Sequence, residues 1–200
     1  MLKPVRYRQE ELGFSLLETL VAMVISCLVC IAVMNTIPAL FKQLYQAYFQ
    51  YQLDREVRQV LINMEKDFRR IGYCSQVHCE GRALLVSEKF LSRKMNSCII
   101  FAYDQDLSGS WVNGQGKKLE SDFFGYRLNG HKLESNRNVV DCDGTRWQSL
   151  FDATLVKVNQ LTFNWSSAKQ LLEVHMNIES QRLPDKKFQY QIWVNVRNSL

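Results

Sequence analysis

The sequence predicts an α+β protein in which a long N-terminal stem helix packs under a mostly antiparallel β-sheet. Three observations carry this. Residues 14–34 read FSLLETLVAMVISCLVCIAVM, an apolar run with a single charged residue. Val57, Val60, Leu61, Met64, Phe68 and Ile71 then recur at intervals of three and four, one face of a helix. In the C-terminal half, apolar and polar residues alternate with the two-residue period of strands buried on one side. The 200 residues suit one compact domain plus an appendage, and 46% apolar with 22% charged residues exclude general disorder.

About 21 residues are enough to cross roughly 30 Å of hydrocarbon as a helix. Lys3, Arg6 and Arg8 stand before it, so the positive-inside rule keeps the leader in the cytoplasm and sends everything after Met34 outside. A secretory signal has a shorter apolar stretch and a small-x-small cleavage site at its far end. Here no such site follows Val33, and the one small residue at a plausible boundary, Gly13, precedes the run. A cut after Gly13 leaves the membrane helix on the mature chain and lowers the formal charge from +5 to +4, because three basic and two acidic residues depart. Glu18 then needs a partner, since a carboxylate in a spanning helix costs about 2.5–3.5 kcal/mol near the centre and less towards an end. The freed amine of Phe14 is four residues away, or available to a neighbouring subunit. Snorkelling of Glu18 to the headgroups is the plainer alternative.

Gly13-Phe14-Ser15-Leu16-Leu17-Glu18 followed by Leu20-Val21-Ala22-Met23 resembles the class III signal of type IV pilins and pseudopilins. The resemblance implies a pilin-like fold, cleavage by prepilin peptidase between Gly13 and Phe14, and N-methylation of Phe14. It also implies that Glu18 is the carboxylate that pairs with the N-terminal amine of an adjacent subunit during assembly. Glu10-Glu11-Leu12 departs from the basic leaders usual in the family.

Beyond the apolar run, Pro38 is expected to kink the helix and not to end it. The pattern resumes at Leu44, Tyr48 and Tyr51, continues through the six-residue face above, and stops at Gly72. Arg55, Arg58, Glu65, Lys66 and Arg69 fall on the other side. One helix from Phe14 to Ile71 would be about 58 residues, or roughly 87 Å, long. The segment Met64-Glu65-Lys66-Asp67-Phe68-Arg69-Arg70-Ile71-Gly72-Tyr73 resembles the end of the stem in the pseudopilin J, PilW-like branch of the same family, and the whole chain is similar to its prepilin peptidase-dependent members. The expected organisation is a leader over 1–13, a membrane and assembly half of the stem over 14–34, an amphipathic half over 35–72, and a β-rich head over 73–200.

In the head, Cys98 to Tyr103 is an expected strand, and Asp104 to Asp122 a long loop. Phe123–Leu128, Asn129-Gly130 and His131–Glu134 read as a tight hairpin. Leu161, Phe163 and Trp165 alternate, as do Leu172, Val174, Met176 and Ile178, and then Phe188, Tyr190, Ile192, Val194 and Val196. Ser166–Gln170 and Gln181–Lys187, with Pro184, are expected turns.

Four cysteines in the polar part of an exported chain predict two disulfides. Three pairings are open, and the expectation adopted is Cys74 with Cys79, closing the turn after the helix, and Cys98 with Cys142. Cys27-x-x-Cys30 lies in the apolar helix, where packing is favoured over redox chemistry. Cys74, His78 and Cys79 lack the second ligand pair a zinc site needs, with His131 and His175 poorly spaced to supply it. Asp104-x-Asp106-x-Ser108-Gly109 copies the start of a calcium loop, but Gln115 replaces the twelfth-position glutamate, and Asp, Ser and Gly are ordinary turn residues. Gly109 and Gly114 have phosphate-loop spacing without its lysine. No metal or cofactor is therefore expected. The basic pairs Arg69-Arg70, Lys117-Lys118 and Lys186-Lys187 read as solvated surface, so no nucleic-acid partner is expected.

The resemblance implies a non-enzymatic subunit of the bacterial inner membrane, single-pass, with cytoplasmic leader and periplasmic head. Its implied role is in initiation or tip assembly of a type IV pilus. Implied partners are prepilin peptidase, other major and minor pilins or pseudopilins through the stem, and inner-membrane lipid. The alternatives are a minor pseudopilin of a type II secretion system and a membrane-tethered periplasmic enzyme or binding protein.

Overall fold

The computed structural model describes residues 13, 15–76, 79–87, 94–112, 117 and 122–198. One helix, α1 (Leu16–Phe68), precedes eight strands: β1 (Leu84–Val86), β2 (Cys98–Ala102), β3 (Phe123–Asn129), β4 (Lys132–Arg137), β5 (Gln148–Ser149), β6 (Val156–Ser166), β7 (Leu171–Ser180) and β8 (Leu183–Asn195). Two compact units divide the chain at Tyr48/Phe49, so α1 contributes to both. The α+β layout is as expected, with the β-structure split into two antiparallel sheets, β1-β2-β3-β4-β5 and β6-β7-β8.

In the second unit α1 buries Leu53, Val57, Leu61, Met64 and Phe68, the rows that helical spacing brings to one side. Phe68 joins the helix to both sheets. Its ring meets Phe101 of β2, Tyr126 of β3 and Phe163 of β6 edge-on, at centroid distances of 5.4, 5.6 and 6.1 Å. The helix ends three residues before the expected Ile71. Arg70 and Ile71 donate to the carbonyls three residues back, tightening the last turn, and Gly72 follows at φ 76°. That left-handed conformation suits glycine, and it turns the Gly72 N–H onto the Ala102 carbonyl of β2.

The sheets are tied to each other by Val158 N–H to His131 O and Phe163 N–H to Asn96 O, at 3.0 and 2.8 Å. In β6 a register shift between Val158 and Gln160 moves the buried phase from Val156 and Val158 to Leu161 and Phe163. Two boundaries differ from expectation. Asn129 pairs with Lys132, so the hairpin turn is Gly130-His131, with glycine at φ 60° in its first position. The expected turn Gln181–Lys187 is mostly strand: β8 starts at Leu183, opposite Ser180, and runs through Pro184. It can do so because β8 is an edge strand and bulges there, where a missing N–H breaks no ladder bond.

Disulfides join Cys74 to Cys79 and Cys98 to Cys142. Opposite the stem, Arg127 of β3 is held by Glu134 of β4 at 2.7 Å, donates to the Cys142 carbonyl, and lies over the Trp147 ring. Gly125 makes room for this layer, since a Cβ there would fall 2.8 Å from Trp147 and 2.6 Å from Ile100.

Candidate processing and assembly site

Among its described residues the first unit carries no core of its own. From Leu16 to Phe41 every large apolar side chain is exposed. The most apolar 18-residue window of α1 has a mean hydropathy of 2.6 and none of it is buried. Burying one such side chain is worth about 1.5–3 kcal/mol, so a surface of this kind requires lipid or other helices around it. The hydroxyls along it are satisfied within the helix: Thr19 donates to Leu16 O, Ser26 to Ala22 O, and Thr36 to the Ala32 and Val33 carbonyls. That back-bonding lets polar residues sit in an apolar surrounding. Cys27 and Cys30 are free and exposed on the same helix, placed to pack against whatever covers it.

At the start of α1 the Ser15 carbonyl accepts from the Glu18 and Thr19 amides at 3.0 and 3.2 Å. Glu18 therefore stands in the first turn, where the positive end of the helix favours a carboxylate. It is exposed, and no side chain among the described residues bonds it. Gly13 precedes the helix in open space, where a Cβ would meet nothing within 4 Å. Phe14, with Lys3, Arg6 and Arg8, lies outside the described residues, as do His78, Gly114, Gln115 and Lys118.

The second unit holds its stretch of stem by polar bonds as well as by its core. Tyr126 donates to Asp67 at 2.7 Å and Tyr190 to Asp54 at 3.2 Å, while Lys186 reaches Gln50 and Arg182 lies over Phe49. Burial and the Asp54 carboxylate push the Tyr190 phenol up to about 12. Burial and Asp67 push Tyr126 up as well. Of the basic pairs, Arg69 is engaged with Glu65, Lys187 with Glu179, and Lys186 with Gln50. A concavity of about 550 Å³ beside β1 and β6 is lined by Arg82, Asn96, Phe163, Trp165 and Gln170 among others, with Arg82 its one ionisable side chain among the described residues. Its described lining offers no acid–base pair for catalysis.

Comparison with known proteins fits this layout. Residues 46–196 match the family model described as prepilin peptidase-dependent protein B. The chain belongs to that family. Residues 8–34 match the prokaryotic N-terminal methylation motif, which covers Gly13, Phe14 and Glu18. A relative named prepilin peptidase-dependent protein B from Escherichia coli (strain K12) is 30% identical over 178 residues, 88% of this chain and 90% of the relative. An uncharacterised protein of Haemophilus influenzae is 20% identical over 191 residues, 74% of this chain and 80% of the relative. No solved structure gives a significant match. The family is one of pilin-like structural proteins, and the apolar helix with its methylation motif is consistent with membrane anchoring.

Proposed function

We propose that this chain is a minor pilin-like subunit, cut by prepilin peptidase after Gly13 and N-methylated on Phe14. It then joins the initiating complex or tip of a type IV pilus. The observation that carries the reading is the first unit of α1, apolar and exposed all round, with Glu18 as its one charged residue up to Phe41. A free amine created at Phe14 supplies the cation that Glu18 lacks, on this subunit or its neighbour, and a charge-assisted bond in an apolar bundle is strong. The organisation proposed is leader 1–13, membrane and assembly segment 14–34, amphipathic stem 35–72 and head 73–200. The chain crosses the inner membrane once, with its leader cytoplasmic and its head periplasmic. The two disulfides support that side for the head, because such bonds persist in oxidising compartments.

The test is the N-terminus of the protein isolated from membranes of cells with and without prepilin peptidase, read by mass spectrometry. Methylated Phe14, present only with the peptidase, is the expected result. An intact leader in both strains, or a cut elsewhere, overturns the reading. Cross-linking from the native Cys27 or Cys30, free and exposed on the same helix, to pilus or to secretion-system subunits then identifies the filament.

A further inference from the structure

Asp104 follows β2 and Asp122 precedes β3; they are only 2% and 0% exposed. One oxygen of each is occupied. Asp104 Oδ2 accepts from the Ser75 amide, the Ser75 hydroxyl and the Gly109 amide, and Asp122 Oδ1 accepts from the Gln105 amide. The other oxygens, Asp104 Oδ1 and Asp122 Oδ2, are buried with no hydrogen-bond partner. Leaving such a group unsatisfied is costly, and more so for a charged one. Asp106 completes a group of three carboxylates, each offering an oxygen within 4.8 Å of the others. Cys74 and Cys79 lie near Asp104 but are joined to each other, so they have no thiolate to offer.

We propose that Asp104, Asp106 and Asp122 bind a hard divalent cation, calcium, that clamps the start of β3 to the end of β2 and to the loop after the stem helix. An all-carboxylate oxygen set selects hard cations over zinc or copper. Calcium is favoured over magnesium by the loop itself. Asp104, Asp106 and Ser108 occupy the first, third and fifth positions of a calcium loop, and Gly109 the sixth, at φ 78°. A side chain at Gly109 would also crowd the Gln76 side chain. The acid missing at the twelfth position, Gln115, is replaced by Asp122, which the fold returns to the loop from β3. Waters and backbone carbonyls supply the remaining ligands that calcium requires.

The test uses the full chain in detergent micelles, stripped with chelator. Calcium binding is measured by equilibrium dialysis, and thermal unfolding is followed in chelator, calcium and magnesium. The expected result is saturable calcium binding with a midpoint of unfolding that rises with calcium, and a weaker response to magnesium. Asp106→Asn, at an exposed side chain, keeps the fold and lowers calcium affinity by at least about tenfold, because affinity follows ligand charge. Asp122→Asn abolishes binding. No binding at millimolar calcium, or binding that Asp106→Asn leaves unchanged, overturns the proposal. So does a head that gains stability only as pH falls, which would assign the buried oxygens to a proton shared between Asp104 and Asp122.

Discussion

Replacing Phe68 by alanine separates the two roles of the stem helix. Phe68 is fully buried, and its ring is the point where α1 meets both sheets, through Phe101, Tyr126 and Phe163. Buried phenylalanine-to-alanine changes cost about 3–5 kcal/mol. Three edge-on ring contacts, each worth about 0.5–1.5 kcal/mol beyond burial, place this site near the upper end of that range. A domain of ordinary stability has about 5–15 kcal/mol in total, so the loss is a large part of it. Phe41 on the same helix is 66% exposed, and its replacement by alanine is expected to leave head stability within about 0.5 kcal/mol. The assay is denaturant unfolding of the full chain in detergent micelles, followed by tryptophan fluorescence. All four tryptophans, Trp111, Trp147, Trp165 and Trp193, lie in the second unit, so the signal reports the head. A cost below about 1.5 kcal/mol for Phe68→Ala, or an equal cost for Phe41→Ala, would refute a head built around the lower stem.

Three further outcomes are expected. Removing Cys98–Cys142, with a sequence separation of 44, should cost more than removing Cys74–Cys79, with a separation of 5. Chain-entropy estimates give about 4 against about 2 kcal/mol, and unfolding of the two double-alanine variants checks the order. Arg127→Met strands the buried Glu134 carboxylate and should cost about 3–5 kcal/mol, most of it recovered in Arg127→Met/Glu134→Leu; equal stability of single and double variants would rule this out. Tyr190 keeps its proton to about 12 in the folded head against about 10 in an unfolded chain. Its stabilising effect is therefore fully present below pH 10 and disappears as pH rises towards 12. Tyr190→Phe should flatten that alkaline loss in a pH series of unfolding midpoints.

The sequence by itself determined what depends on near neighbours. The apolar run, Gly13 before it and Glu18 in its first turn are local signals, because a membrane or bundle imposes its demand on each residue of a single helix. The buried face of α1 from Val57 to Phe68 and that of β7 were equally legible, since one period repeats long enough to be read. Leu44, Tyr48 and Tyr51, which carry the same pattern in sequence, are by contrast exposed, and the buried Leu53 was not expected. Tertiary structure decided whatever depends on register. The extra residue in β6 that switches the buried phase to Leu161 and Phe163 leaves no mark in composition. The short strand Leu84–Val86 has no length over which a period can show, and exists because β2 pairs with it. Pro184 punctuates the sequence like a turn, yet on an edge strand its missing N–H breaks nothing. Arg127 finds Glu134 only because the hairpin turns at Gly130-His131, which brings the two residues directly opposite each other. Asp122, eighteen positions beyond Asp104, joins the same carboxylate group only once β2 and β3 lie side by side. Such contacts depend on chain segments distant in sequence, whose meeting is set by the packing of the whole head.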